Sequence, residues 1–259
     1  MKISTQRQYR YVIEKWVKDE KIGHRSVVGI RREHVKIMMG KRANRPGAAS
    51  DFLKTLKVLV RYAIDNGWRT DNPTDGVKKF RIGEHHTWTD AEIALFETRW
   101  PVGSTERLAF ALLLYTGQRL SDVVRMSWGD IDSGAIQITQ QKTGSRMWIP
   151  VHSNLRRILE KTAKNHVTIL TTSFQKSFSA AGFGIWMAEK INASKLPDRC
   201  VTHGIRKAAA RRLAEAGCSA NEIASITGHK SLVEVERYTR AADQRRLAKA
   251  AVIKIPERD

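Results

Sequence analysis

The stretch ERLAFALLLYTGQRLSD, residues 106–122, decides how the rest of the chain is read. From Leu108 to Leu114 it is apolar on every side, the signature of the central helix of a domain rather than of a surface helix with one dry stripe. It is far too short to span a bilayer. Gly117 ends the helix, and a second, short helix follows in LSDVVRM, residues 120–126. Arg119 therefore leaves the chain at a junction between two helices, where a guanidinium is held rigidly.

Beyond this pair the period changes. AIQITQ (residues 135–140) and RMWIPV (146–151) read as strands, joined by the polar turn QKTGS into a hairpin that carries Lys142 at its tip. Helices resume at SNLRRILEKTA and continue to the end. In VTHGIRKAAARRLAEAG, Thr202 is expected to cap a helix whose first turn holds His203 and Arg206 on one face. Ser219 and Glu222 bracket a further short helix ending at Thr227-Gly228, which leaves His229 in a tight turn. Ser231 and Glu234 then match a second capping box, opening a helix that carries Tyr238 two turns on.

In the other direction, TWTDAEIALFE starts this domain sharply, with Thr89 and Glu92 as a capping box. The basic connector KKFRIGEHH precedes it, and its His85 and His86 read as solvated. Further back the pattern is all helical. One helix lies in STQRQYRYVIEKWVKDEK and a second in REHVKIMMG. The third, AASDFLKTLKVLVRYAIDNG, places Leu53, Leu56, Val60 and Ile64 on one stripe. The turn cluster TDNPTDG closes the region. The expected organisation is a helical domain over residues 1–82, a linker at 83–86, a mixed domain at 87–240, and a C-terminal helix or tail at 241–259.

Charge sets the partner. The 259 residues hold 46 Lys and Arg against 26 Asp and Glu, a net +20 with only 41% hydrophobic residues. Both halves share the excess: 20 basic against 8 acidic residues precede Gly83, and 26 against 18 follow. A polyanion touching both halves is the natural partner, because every neutralised phosphate releases condensed counterions. In the helical part, Lys41, Arg42 and Arg45 are the candidate contacts to a DNA backbone. The two cysteines, Cys200 and Cys218, exclude a disulfide framework and an all-cysteine metal site. Neither HExxH nor a Cys/His cluster is visible, so no metal and no cofactor is expected. No signal core precedes Trp16, and a cytoplasmic, nucleoid-associated protein without a membrane partner is expected.

Arg119, Lys142, His203, Arg206, His229 and Tyr238 together form a kit for attack on a phosphodiester. Arginines grip non-bridging oxygens and stabilise the charge of a crowded transition state, and a tyrosine needs cationic neighbours to act as a nucleophile. Arg237 and Arg240 stand beside that tyrosine as ordinary charged neighbours.

The ordered set TGQRLSD, QKTG, HGIR, TGHKS and RYTR resembles the tyrosine recombinases of the phage integrase family, over about Thr87 to Arg240. The N-terminal part is similar to the family's core-binding domain in length, charge and helical character. The resemblance implies a mainly α fold: an all-helical, SAM-like core-binding domain, then a mixed catalytic domain with a small β-hairpin or sheet, shared with type IB topoisomerases. It implies a C-shaped clamp on duplex DNA at a specific core site. Tyr238 would form a 3′-phosphotyrosyl link, with Arg119, Arg206 and His229 on the phosphate. Lys142 would protonate the leaving 5′-oxygen, and His203 would assist proton transfer at the tyrosine. Neither ATP nor metal would be needed. Partners would be other protomers in a tetrameric synapse, with accessory DNA-bending proteins. Leu247, Ala248, Ala251 and Val252 lie at helical spacing, on a helix that docks on a neighbouring protomer or on its own.

Two features depart from the pattern. Lys207 stands where many relatives have a second histidine after the arginine. The first helix begins almost at Met1, which leaves no room for an arm-site-binding domain, so either the protein works at simple core sites or a longer one has been trimmed. A type IB topoisomerase-like nicking enzyme, or a non-catalytic DNA-binding regulator of the same fold, are the competing functions.

Overall fold

The computed structural model describes residues 3–21 and 23–253. Two compact units divide it, Met1–Glu84 and His85–Asp259.

The first unit is built from α1 (Ile3–Glu20), α2 (Arg32–Gly40) and α3 (Pro46–Asp65). Helix α3 begins two residues before the expected AASDFLK segment, because Pro46 occupies the first turn, where its missing N–H is not needed. Three members of the stripe anticipated on α3 lie in its core: Leu53, Leu56 and Val60 are buried with Phe52, Trp16, Val35, Met38 and Met39. Ile64 packs at the edge of this cluster. Arg69 is buried as well, and its guanidinium donates to the carbonyls of Val27 and Ile30 and to the Asp71 carboxylate. A buried cation with a hydrogen bond from each of its three nitrogens fastens the segment between α1 and α2 to the turn after α3.

The second unit is mainly helical around a small sheet. Its helices are α4 (Asp90–Arg99), α5 (Thr105–Thr116), α6 (Leu120–Val123), α7 (Ser153–Glu160), α8 (Ala180–Ala193), α9 (Thr202–Glu215), α10 (Ala220–Thr227) and α11 (Leu232–Ile253). As its apolar circumference requires, α5 runs through the middle: every residue from Leu108 to Leu114 is buried. Gly117 closes it in the left-handed conformation, with φ at 60°. The Thr89–Glu92 capping box forms as read, each side chain accepting from the other's backbone N–H.

The hairpin is one strand larger than the sequence suggested. β2 (Ala135–Thr139) pairs antiparallel with β3 (Arg146–Pro150), and a two-residue β1 (Ile131–Asp132) adds to the outer edge in the order β1-β2-β3. A strand of two residues has no period to detect, which is why the sequence does not reveal it. A second correction concerns α9. Thr202 lies inside its first turn, and Val201 takes the cap position without a side-chain hydrogen bond. No helix of the described residues is long and apolar enough to cross a membrane.

The expected boundary at residue 240 is not a structural break, since α11 runs unbroken from Leu232 to Ile253. Its early part packs on its own chain: Val235, Tyr238 and Ala242 lie against Ala210, Ala214 and Ile223. Val252 and Ile253 are exposed. The Leu247 side chain and residues 254–259 lie outside the described residues.

Candidate active site

Three of the six candidate side chains, Arg119, Arg206 and His229, are linked where α5, α9 and α10 converge. Arg119 caps α6 by its backbone, and its Nη1 donates to Gln140 Oε1 at 3.0 Å. Arg206, in the first two turns of α9, is only 3% exposed. Its Nη1 donates to the carbonyls of Gly117 and Thr227, and Nη2 reaches His229 Nε2 at 3.1 Å. A guanidinium so anchored on one edge cannot swing, so a ligand meets it already oriented. Burial, then the repulsion of Arg119, pushes its pKa down to about 10. It stays charged at neutral pH, and the nearness of Asp122, Glu234 and Tyr238 favours that charge.

The hydrogen bonds fix the tautomer of His229. The Thr227 hydroxyl donates to the Ile223 carbonyl at 2.7 Å, so its remaining contact, with His229 Nδ1 at 2.6 Å, must be donated by the imidazole. A proton on Nδ1 leaves a lone pair on Nε2, and that lone pair accepts from Arg206. Burial, then Arg206, Arg119 and His203, hold the pKa of His229 down at about 4, so the ring is neutral. In this state the nitrogen facing the site takes a hydrogen bond instead of giving one.

His203 is exposed at the start of α9, its ring edge-on to His85 with centroids 5.1 Å apart. Burial of the ring's inner side, then the charges of His85, Arg206, Lys207 and Arg119, lower its pKa. Lys142 sits in the exposed turn between β2 and β3. Tyr238 is half-buried in the second turn of α11, packed on the Ala210–Val235 cluster.

The linker histidines are less free than the sequence suggested. His86 Nε2 donates to Glu92 at 2.7 Å, and the His85 carbonyl accepts from Lys207 at 2.7 Å. Lys207, the departure from the family pattern, thus holds the backbone of His85, whose own ring faces His203. The linker passes so close to α9 that a Cβ on Gly204 would lie 2.4 Å from the His86 carbonyl oxygen and 2.7 Å from Trp88. The glycine of HGIR is there for that crossing.

Among the described residues, His86, Glu92 and Cys200 bring their ligand atoms within 4.8 Å of one another, a grouping that sequence spacing hides. Its chemistry is that of a hydrogen-bonded clasp. Burial disfavours the Glu92 charge, but the Thr89 N–H, His86 and Arg199 outweigh it and hold its pKa at about 2. Burial and the neighbouring carboxylate push the Cys200 thiol up to about 12. The sequence also missed Gln118 and Gln140, both fully buried among the arginines.

In the first unit, Lys41 pairs with Glu20 and Arg45 is exposed at the start of α3. Arg42 is turned inward, donating to the Met38 carbonyl and lying over the Phe52 ring at 4.4 Å.

The sequence profile of the phage integrase family matches residues 93–245, the span holding all six candidates. The integrase of Escherichia phage HK022 is 32% identical over 99 residues, covering 38% of this chain and 28% of its own. That of Escherichia phage lambda is 26% identical over 198 residues, covering 71% of this chain and 55% of its own. The chain thus spans at most about half the length of these relatives. A solved structure of lambda integrase residues 75–356, a dimer bound to a COC′ core site, superposes with a TM-score of 0.80 at 23% identity. The match covers 92% of this chain and 89% of that one.

Proposed function

The chain belongs to the phage integrase family, and on that premise we propose that it is a site-specific DNA recombinase acting through a 3′-phosphotyrosyl intermediate. The observation that carries this is the cluster itself: two immobilised guanidiniums and a neutral imidazole beside the helix that bears Tyr238.

The chemistry is a transesterification. Tyr238 Oη attacks the scissile phosphorus, the bond to the 5′-oxygen breaks, and the tyrosine–phosphorus bond replaces it. Arg119 and Arg206 hold the non-bridging oxygens and take up the charge that builds in the transition state. His203, neutral and on the open side of the cluster, receives the phenolic proton. Lys142, on its exposed turn, delivers a proton to the departing 5′-oxygen. The negative charge of an arriving phosphate offsets the repulsion from Arg206 and Arg119 that keeps His229 neutral, so Nε2 takes up a proton and donates to a non-bridging oxygen. The bond energy of the diester is retained in the phosphotyrosine, so a 5′-hydroxyl from another duplex reverses the step without ATP.

The partners we propose are duplex DNA at a specific core site, further copies of the chain in a tetrameric synapse, and accessory DNA-bending proteins. The setting is the cytoplasm, on the nucleoid. Lys41 and Arg45 are the backbone contacts in the first unit. Arg42 serves there through its packing on Phe52, which orients the turn that carries both.

The test is a nicked suicide duplex bearing the sequence junctions that flank the protein's own gene, incubated without metal or ATP. A covalent protein–DNA band that disappears in Tyr238→Phe supports the proposal. No band with the wild-type chain overturns it, and a band that survives Tyr238→Phe overturns the choice of nucleophile. Relaxation of supercoiled plasmids without these junctions, at the same rate, would favour a topoisomerase-like enzyme.

A further inference from the structure

Gln140 is the last residue before the hairpin turn, and its side chain is fully buried. A buried primary amide has two N–H donors and two acceptor positions to satisfy. All four are used. Nε2 donates to Gln118 Oε1 at 2.7 Å and to the Thr227 carbonyl at 3.0 Å. Oε1 accepts from Arg119 Nη1 at 3.0 Å and from the Thr143 hydroxyl at 2.7 Å. Exchanging the amide's oxygen and nitrogen would break the contacts to Arg119, Gln118 and Thr227, so its orientation is unique.

The same side chain explains Gly228. That glycine closes α10 with φ at +69°, and a Cβ there would stand 2.2 Å from Gln140 Nε2. Glycine is needed for the approach of the amide as much as for the backbone angle. The Thr227 carbonyl that receives Gln140 also receives Arg206 at 2.8 Å, so one backbone oxygen is shared between the glutamine that holds Arg119 and the second guanidinium. The backbone of Gln140 meanwhile frames the turn that carries Lys142: its N–H donates to Ser145 and its carbonyl accepts from Gly144.

We infer that Gln140 is a positioning residue: its buried amide fixes the Arg119 guanidinium relative to Arg206 and ties both to the turn bearing Lys142. It touches no reacting atom and acts through Arg119. A displacement of about 1 Å in a transition-state donor is enough to cost on the order of 10²-fold in rate. The inference rests on the strand-transfer reading only where cleavage is the readout.

The experiment uses the full chain as wild type, Gln140→Met, Arg119→Ala and the double variant. Methionine keeps the length of the side chain and removes its hydrogen bonds. The expected result is a loss of about 10²-fold in single-turnover cleavage by Gln140→Met, with duplex affinity within about threefold of wild type. The double variant cleaves no more slowly than Arg119→Ala alone, because the residue that Gln140 serves is already gone. Multiplicative losses, or wild-type cleavage by Gln140→Met, overturn the inference. If the wild type itself forms no covalent complex, the functional proposal fails, and NMR still judges this one. Slowly exchanging Gln140 amide protons, and an Arg119 guanidinium whose resonances are distinct in wild type but averaged in Gln140→Met, support it. Fast exchange in the wild type, or no change at Arg119, overturns it.

Discussion

Gly228→Ala isolates a close approach that most substitutions would blur. Gly228 and Gly67 share φ at +69°, but nothing lies within 4 Å of a Cβ built on Gly67, while one on Gly228 meets Gln140 Nε2 at 2.2 Å and its Cδ and Oε1 at 2.7 Å. Gly67→Ala therefore reports backbone strain alone, about 1 kcal/mol. Gly228→Ala adds the expulsion of an amide that four hydrogen bonds hold in place. The Gln118 oxygen loses its donor and the Thr227 carbonyl one of its two, with unmet buried groups costing about 1–3 kcal/mol each. A total near 4 kcal/mol follows, large for one methyl group. Urea unfolding of the two single variants measures the difference, about 3 kcal/mol. Adding Gln140→Ala to Gly228→Ala is the sharper comparison. It removes the side chain that the methyl group strikes, so the double variant is at least as stable as Gly228→Ala and gains about 1 kcal/mol from relieved overpacking. Its cleavage does not recover, because Arg119 remains unheld. A double variant whose stability loss equals the two single losses together would show that the methyl group and the amide do not meet, and the packing argument would be wrong.

Three other outcomes follow from the electrostatics. Arg119→Ala lowers single-turnover cleavage by about 10²-fold or more with little change in duplex affinity, and cleavage near the wild-type rate would remove Arg119 from the site. His229 is neutral when folded, with a pKa of about 4 against an ordinary value of 6.5. The unfolded chain thus binds a proton first, and stability that is complete above pH 6.5 falls as the pH drops towards 4, by roughly 3 kcal/mol over the window. His229→Gln flattens that part of the profile measured by urea unfolding, and superimposable profiles would refute the assignment. Cys200, buried with its thiol pushed up to about 12, resists iodoacetamide at pH 8 in the folded chain and reacts only after unfolding, as mass spectrometry of the modified peptides reads.

The candidate site residues could be named from the sequence because their chemistry is carried by residue type and their order by short motifs that need no tertiary information. Helix α5 was legible for a related reason: an uninterrupted apolar circumference has one common explanation. What stayed hidden depends on contacts made across long stretches of chain. His86 and Glu92 are six residues apart, but Cys200, which completes their group, arrives 114 positions after His86 at the approach to α9. The two-residue β1 is defined only by the strand beside it. Arg42 looked like one more cation in KRANR, and only the fold shows its guanidinium over Phe52.

The glutamines give the clearest reason for the gap. Gln118 sits in TGQRLSD and Gln140 just before QKTG, next to the residues that matter, and both read as ordinary polar positions at the ends of elements. Glutamine is mostly exposed in proteins, so sequence reasoning assigns it to solvent. Here two of them are fully buried, and their burial is tolerable only because each polar atom of Gln140 has a partner. Those partners come from α5–α6, the hairpin and α10, elements that no local pattern joins. A cationic site needs this kind of support. Arg119 and Arg206 repel each other, and apolar packing would leave their charges unsolvated. A neutral amide offers a carbonyl oxygen to one guanidinium, while its N–H group grips the backbone oxygen that holds the other. It adds no negative charge that would compete with an incoming phosphate. An aspartate or glutamate at position 140 would hold Arg119 more strongly but would repel the ligand and oppose the Gln118 and Thr227 oxygens. The amide is the group that holds two cations in place and leaves their charge available.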